Sequence, residues 1–496
     1  MTSEEPDCFR DLNLDKLIDP ILEREKYFDL APLYHTPLKS PEDIVFRQEI
    51  FKDLLRGDNR KILDSFSREI CELKKQQERA EEELRSGSPR SCNYLLFGHI
   101  LDFGERYCRS IEALRRRLPE MGLKSRGLRL AAGSLEELCE SDFYTGLREN
   151  QIELRRDFDR EQYCMLIKNG TVHVKKYEGE ENLSEKITAV FSKFRREGGK
   201  DYRQQLEECP RAEHVEAAVL SCLSRIYPAL FNRLTEYIRK YSDFIDTGLL
   251  KFCREMRFYL SWLDRTGDLM GCGLPFCFPD FGGGRLFCSG FFDIVLAKKI
   301  GRRIVRNDFY LEGREKILVV TGPNQGGKTT FARALGQIHY LASLGLSVPG
   351  SAANLLLPDQ VLTHFEREED LTKLSGKLED DLKRLHSLLE RTTASSLVII
   401  NEIFASTVLE DAEKLGRYMM EKLTEIGARC VIVTFLDALA DCGPGTVSMV
   451  STVDPDDPGK RTFKVVRRPP DGLAYAMTLA AGHGLGYEQI LRRISP

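Results

Sequence analysis

Residues 321–330 combine residue types and spacing that could hold the phosphates of a nucleotide. They are Thr-Gly-Pro-Asn-Gln-Gly-Gly-Lys-Thr-Thr and contain the pattern Gly-x-x-x-x-Gly-Lys-Ser/Thr. Glycines let backbone N–H groups approach phosphate oxygens that a side chain would block. In this pattern Lys328 reaches the β- and γ-phosphates, and the hydroxyl of Thr329 contacts Mg²⁺. The residues of this loop predicted to bind the nucleotide are Gly322, Pro323, Asn324, Gln325, Gly326, Gly327, Lys328, Thr329 and Thr330.

The segments on either side of the loop supply the context that phosphate binding requires. Residues 316–320 form a short, mostly apolar and β-branched run that predicts a buried strand. Residues 331–341 have the composition of a helix, whose start carries partial positive charge. A glycine turn that arose by chance is the alternative. Because strand, turn and helix occur together, the sequence predicts a nucleoside triphosphate site.

A second pair of polar residues follows another apolar run. Residues 397–400 are all apolar, and Asn401 and Glu402 come directly after them. Strand ends of nucleotide-binding sheets face the ligand, so both side chains are expected near the phosphates. Glu402 could orient and polarise an attacking water, whereas Asn401 could accept from a metal-bound water but brings no charge. The alternative is a strand end that is merely polar.

These two stretches define the predicted chemistry. Glu402 and Lys328 are the predicted catalytic residues, and the predicted metal contacts are Thr329 and, through water, Asn401. The cofactors expected at such a site are ATP and Mg²⁺.

Composition limits the classes of protein to which the chain could belong. It has 496 residues, 42% hydrophobic and 30% charged, which predicts two or three domains. It has no run of 18 apolar residues and begins with an acidic stretch, so we expect a cytoplasmic protein without a membrane partner. Its 14 cysteines lack a paired framework and are expected to be reduced, with no zinc spacing around Cys272, Cys277 and Cys288. The net charge of −4 indicates that any nucleic-acid contact must come from a local patch.

The pattern along the chain predicts a mixed fold. Residues 1–30 form a short polar segment, 31–270 a mostly α-helical region, and 271–496 a C-terminal α/β P-loop domain. Glycine and proline become frequent near residue 271, which sets that boundary. Residues 74–85 are polar all round and are expected to project into solvent. Hairpins are predicted around Asn169-Gly170 and between strands at about 445–453 and 461–467.

The loop and its surroundings resemble the MutS family, in which Thr-Gly-Pro-Asn precedes Gly-Gly-Lys. Residues 307–311, 348–349 and 369–371 follow in matching order, and residues 396–403 with Ser406 and Thr407 resemble that family's second ATPase motif. Residues 36–48 are similar to the start of its helical core. The resemblance is specific over about 290–480 and collinear over 30–270. It implies that residues 31–270 are a helical core and lever region and that residues 271–496 are an ABC-type ATPase domain. It also implies that the protein works as a homodimer through this ATPase domain.

In such a dimer each site is completed by a signature segment from the other subunit. Residues 374–382 match it, and Ser375 is the residue expected to reach the partner's γ-phosphate. The usual glutamate is displaced to Asp380 or Asp381. The alternative role of Ser375 is to cap a helix.

The sequence also departs from the family pattern at four places, one of which is the turn after the glutamate, where Phe404-Ala-Ser-Thr407 replaces a Gly-rich stretch. The usual magnesium-side aspartate is Asn401, and the usual histidine after the next strand is Phe435. The position that usually stacks an aromatic ring on adenine is Ile304. We therefore expect ATP binding with slow hydrolysis.

The resemblance implies a dimeric clamp that ATP opens and closes, on double-stranded or branched DNA. A nucleotide-switched clamp on a protein partner, with little or no hydrolysis, is the alternative. About 30 residues precede the core-like segment, too few for a mismatch-recognition domain, and no nuclease tail follows the ATPase. We therefore expect a short form without mismatch selectivity. The one Phe-x-Glu found in a helical stretch, at Phe103, is expected to belong to the core.

Overall fold

The computed structural model describes residues 4–86, 90–169, 171–181, 186, 210–366, 377–404, 407–455, 457 and 460–470. Among the helices of these ranges, none is long and apolar enough to cross a membrane. The part before about residue 270 is mostly helical, and a large sheet follows it, which confirms the predicted mixed fold class.

Helices predominate before residue 271 of the described chain, and helices and strands are mixed after it. The helices are α1 (Cys8–Asp11), α2 (Asp15–Arg24), α3 (Ala31–His35), α4 (Pro41–Leu54), α5 (Asn59–Arg85), α6 (Arg90–Arg117), α7 (Arg126–Glu140), α8 (Asp142–Arg160), α9 (Pro210–Ile226), α10 (Pro228–Tyr241), α11 (Thr247–Gly271), α12 (Ile294–Ile300), α13 (Lys328–Ser343), α14 (Lys377–Arg391) and α15 (Leu409–Ile426). The strands are β1 (Tyr163–Lys168), β2 (Thr171–Lys176), β3 (Phe276–Cys277), β4 (Leu286–Phe291), β5 (Asn307–Leu311), β6 (Ile317–Thr321), β7 (Val348–Pro349), β8 (Ala352–Asn354), β9 (Val361–His364), β10 (Leu397–Asn401), β11 (Arg429–Val433), β12 (Thr446–Val453) and β13 (Arg461–Arg467). Short 3₁₀ turns occupy Lys26–Phe28, Leu118–Met121, Gly301–Arg303 and Asp437–Asp441.

The described residues fall into two compact units. The α/β unit comprises those within Met1–Leu55, Ser125–Gly127 and Arg257–Pro496, and the helical unit those within Arg56–Lys124 and Leu128–Met256. The predicted domain boundaries at residues 30 and 270 stay predictions, because units defined by contacts between residues do not test them.

A six-stranded sheet forms the centre of the α/β unit, in the order β13-β12-β6-β11-β10-β9. Its neighbouring strands are parallel except for β12 and β13, which form the antiparallel hairpin predicted near the end of the chain. β6 and β10 are buried throughout, which explains their continuous apolar sequences. Because they are parallel, Thr321 and Asn401 end them at the same edge of the sheet, with only β11 between them. We call this edge the carboxyl edge.

Helix α13 starts at the carboxyl edge and is buried on nearly every side. It packs against β10 and β11, and the N-terminal segment (residues 4–30) also contacts it. Phe9 meets the ring of Tyr340 edge-on at a centroid distance of 5.2 Å. The Nε of Arg333 donates to Asp11 O at 3.0 Å. The polar composition of the segment did not indicate this packing, which makes it part of the core around α13.

One prediction about the helical unit is wrong. Residues 74–85, the end of α5, were expected to be solvent-exposed all round, but Gln77 and Ala80 are buried. Nε2 of Gln77 donates to Ser242 O at 2.5 Å and to Asp243 Oδ1 at 3.2 Å. A buried amide is stable when it has such partners, so polarity alone did not identify an exposed face.

The predicted hairpin in the helical unit is also confirmed. β1 and β2 are antiparallel, with Lys168 opposite Thr171 beside the turn. Asn169 has a φ of 52°, the left-handed conformation that asparagine tolerates in tight turns, while Gly170 lies outside the described residues.

Candidate nucleotide-binding site

The phosphate loop connects the end of β6 to the start of α13, as the sequence predicted. Gly322 and Gly327 have φ values of 113° and 90°, which side chains rarely adopt. A β-carbon on Gly322 would also lie 2.7 Å from Ser451 O, on the neighbouring strand β12. The backbone conformation therefore requires both glycines, and the close approach of β12 is a second requirement for Gly322.

Lys328 is the first residue of α13 and is only 4% exposed. Its Nζ donates to Gly322 O at 2.9 Å and Pro323 O at 3.2 Å, and more weakly to Asn324 Oδ1 at 3.4 Å. Burial lowers the pKa of Lys328, the carboxylate of Glu402 opposes this, and Arg461 adds to it. The ammonium is thus held inside the loop, where phosphate oxygens could replace its present acceptors.

Asn401 ends β10 at the same edge of the sheet and is 7% exposed. Its Oδ1 is buried and accepts no hydrogen bond from the described part of the chain. The same holds for Oγ1 of Thr321, at the end of β6. Buried polar atoms without partners are rare, and a hydrated cation or bound water would satisfy an amide oxygen in this position. The site therefore fits Mg²⁺ held through water.

Glu402 follows Asn401 in a left-handed conformation, with a φ of 53°. Its backbone N–H donates to Val433 O at 2.9 Å, which fixes the turn to the neighbouring strand β11. A residue other than glycine in this region is strained, and such strain is concentrated at functional sites. The carboxylate of Glu402 is close enough to Lys328 to raise the pKa of its ammonium. The structure thus brings together the predicted residues Lys328, Asn401 and Glu402.

The sequence analysis missed Phe463, an aromatic residue beside the loop. A β-carbon on Gly327 would lie 3.6 Å from its Cδ1, and the side chain is 49% exposed. Phe463 has a φ of 59°, and Nδ2 of Asn307 donates to its carbonyl at 3.3 Å. Its exposed ring could stack on a base. The only sequence signal is an aromatic in the second strand of the final hairpin.

Ile304, the predicted base contact, ends a 3₁₀ turn and is 8% exposed. It therefore offers little surface to a base, and its role stays a prediction. Phe435, which follows β11, is 46% exposed, and Ser375 lies outside the described residues. Within the described ranges, no three histidine, cysteine or acidic residues are grouped as a metal site would require.

Two kinds of known protein are similar to this chain. Residues 318–453 match the family model of MutS domain V, a range that holds the phosphate loop, Asn401 and Glu402. "Endonuclease MutS2" of Thermus thermophilus is 32% identical over 194 residues, which are 38% of this chain and 25% of that protein. "DNA mismatch repair protein MutS" of Thermotoga petrophila is 25% identical over 237 residues, 47% of this chain and 29% of that protein. The protein of the same name in Chlorobium phaeovibrioides is 30% identical over 195 residues, 38% of this chain and 22% of that protein.

These matches confirm the predicted resemblance to the MutS family. The matched part spans only 22% to 29% of the length of these three relatives.

Proposed function

We propose that this chain, which carries the match to MutS domain V, is an ABC-type ATPase that binds ATP with Mg²⁺ and hydrolyses it slowly. The supporting observation is that the carboxyl edge of the sheet holds two buried groups, the ammonium of Lys328 and the amide oxygen of Asn401, and the oxygen has no hydrogen-bond partner among the described residues. One group suits phosphate oxygens and the other suits a metal-bound water. Nucleotide binding and release would open and close a dimeric clamp.

Each residue of the site has a separate role in this proposal. The backbone N–H groups of the loop and Lys328 bind the phosphates, with Gly322, Pro323, Asn324, Gln325, Gly326, Gly327 and Thr330 completing the loop. Thr329 and, through water, Asn401 would hold Mg²⁺, which supplies positive charge to the phosphate oxygens when it is bound. Glu402 orients the attacking water and accepts its proton at a carboxylate oxygen.

The proposed assembly is a homodimer through the ATPase domain. Ser375 would contribute to the γ-phosphate site of the partner subunit. Double-stranded or branched DNA is the proposed partner, supported by relatives named for mismatch repair and endonuclease activity.

A nucleotide-switched clamp on a protein partner is the second candidate. It is favoured by the neutral amide of Asn401 and the exposed ring of Phe435, which bring no charge to the site. Tight nucleotide binding with little or no hydrolysis would fit such a switch.

We also propose that DNA binding shows no preference for mismatches. The Phe-x-Glu at Phe103 lies inside helix α6, where Phe103 stacks on His99 at 6.4 Å. A β-carbon on Gly104 would lie 2.7 Å from Tyr237 Oη, and Glu105 pairs with Arg109 and Arg155. A wedge must leave its own domain to enter a base stack, and this helical position does not favour that.

The test measures ATP hydrolysis with no DNA and with duplex, branched and single-stranded DNA. Stimulation by DNA, together with binding that weakens steeply with salt, would support the DNA clamp over the protein clamp. Lys328→Ala is the control, because it removes the ammonium from the loop, and it should bind no fluorescent ATP analogue. An analogue that binds this variant as tightly as the wild type would refute the site.

A further inference from the structure

The start of β13 lies against the phosphate loop. Nε of Arg461 donates to Asn324 O at 3.3 Å, and Asn324 belongs to the loop. This proximity follows from the sheet order, in which β12 runs parallel to β6 and ends at the carboxyl edge. The antiparallel β13 therefore begins at that edge, and Arg461, which pairs with Val453, is its first residue.

The backbone of β13 is held in place by side chains near Arg461. Oδ1 of Asn307, on β5, accepts from Val465 N at 2.8 Å, and its Nδ2 donates to Phe463 O at 3.3 Å. Oγ1 of Thr462 donates to Thr452 O at 2.8 Å, across the hairpin. These bonds fix the position from which Arg461 extends, so its approach to the loop is set by the fold.

Arg461 also interacts with the charge inside the loop. It and Lys328 are like-charged, and each raises the electrostatic energy of the other. The carboxylate of Glu402 balances part of this charge. A phosphate carries negative charge, and a guanidinium can give it two parallel hydrogen bonds.

We infer that Arg461 is a further nucleotide-binding residue, which binds the terminal phosphate of the triphosphate held by its own chain. The inference rests on the proposed ATP site. Lys328, which serves the β- and γ-phosphates, donates to Asn324 Oδ1, and Arg461 donates to the carbonyl of the same residue, so both cations lie beside Asn324.

The test compares the affinities of three variants for fluorescent ATP and ADP analogues. Arg461→Gln should weaken ATP binding at least about tenfold and ADP binding by less than about threefold, because only ATP has the γ-phosphate. Arg461→Lys keeps the charge without the paired hydrogen bonds and should give a smaller, still ATP-selective loss. Arg467→Gln is the matched control, since Arg467 lies on the same strand but pairs with Glu315. It should leave both affinities unchanged.

Equal weakening for ATP and ADP, or none, in a folded Arg461→Gln protein would overturn the inference. If that variant does not fold, Arg461→Lys decides, and equal affinities to wild type for both nucleotides would count against Arg461. Failure of the wild-type chain to bind either analogue would instead refute the proposed ATP site.

Discussion

The buried side chain of Gln337 binds the N-terminal segment to the helix that follows the phosphate loop, because its Nε2 donates to Leu12 O at 2.8 Å. Its Oε1 accepts from Ile294 N at 3.1 Å, at the start of α12. A second link joins Thr363 Oγ1, on β9, to Asp11 Oδ2 at 2.7 Å. Residues around Asp11 and Leu12 therefore contact both α13 and the edge strand of the sheet.

We expect Gln337→Met to destabilise the α/β unit by about 2–6 kcal/mol. The change keeps the length of the side chain but leaves Leu12 O and Ile294 N buried without their partner, and each unsatisfied group costs about 1–3 kcal/mol. Urea denaturation of the two proteins measures the difference. Lys414→Met, on the exposed side of α15, is the control and should change stability by less than about 0.5 kcal/mol. A Gln337→Met protein as stable as this control would contradict the structure around α13.

His339 predicts a specific dependence of stability on pH. Burial lowers the pKa of His339 to about 4 from its ordinary 6.5, and its Nδ1–H donates to Leu335 O at 2.8 Å. Between these two pH values the unfolded chain binds a proton at this residue that the folded chain does not, so stability falls as the pH is lowered. The loss reaches at most about 3 kcal/mol near pH 4.

The measurement is the free energy of unfolding from pH 7 to pH 4 for wild type and His339→Gln. The amide of glutamine can replace the donor to Leu335 O but does not titrate in this range. The wild-type curve should therefore fall more steeply than the variant curve below pH 6.5. Parallel curves would contradict this, because they would show that His339 binds its proton as readily in the folded protein as in the unfolded chain.

Glu402→Gln should retain ATP and slow its hydrolysis by about 10²–10⁴-fold, because the amide cannot accept a proton from water. The variant should also accumulate as a dimer with saturating ATP and Mg²⁺ if each site is completed by the partner. Single-turnover hydrolysis and light scattering measure the two effects. Glu410→Gln, on the exposed start of α15, should behave as wild type. If Glu402→Gln and Glu410→Gln both have a monomeric mass with saturating ATP and Mg²⁺, the result would count against a shared site.

Asn401→Asp should lower the Mg²⁺ concentration needed for half-maximal hydrolysis. A carboxylate restores a negative charge beside the metal, where the amide oxygen is now buried without a partner in the described residues. Without Mg²⁺ the same charge is buried and uncompensated, so the variant should also melt at a lower temperature than wild type. Identical magnesium titrations and melting temperatures would favour a strand end that is merely polar.

Competition between duplexes tests the proposal on mismatches. Unlabelled duplex with one G·T mismatch and its matched counterpart should displace a labelled duplex equally at the same salt concentration, since Phe103 lies within α6. A tenfold advantage for the mismatch, about 1.4 kcal/mol, would contradict the proposal. Phe103→Ala would then show whether this residue is responsible.

The sequence by itself determined the local features of the site. The strand, loop and helix from β6 to α13, and the polar pair that ends β10, each lie within one short stretch. Backbone conformation and hydrophobic period are local properties, so glycine spacing and apolar runs were sufficient to predict them. The two hairpins were predictable for the same reason, because Asn-Gly and the turn after β12 are recognised from neighbouring residues.

Only the tertiary structure decided which distant residues reach these elements. Arg461 and Phe463 approach the phosphate loop because β13 is placed beside β12 and β12 beside β6, more than a hundred residues after the loop. Likewise, Gln337 and Gln77 are buried because each faces a backbone carbonyl from a remote segment. Polar composition predicts exposure only when no such partner exists, and the chain fold supplies the partner.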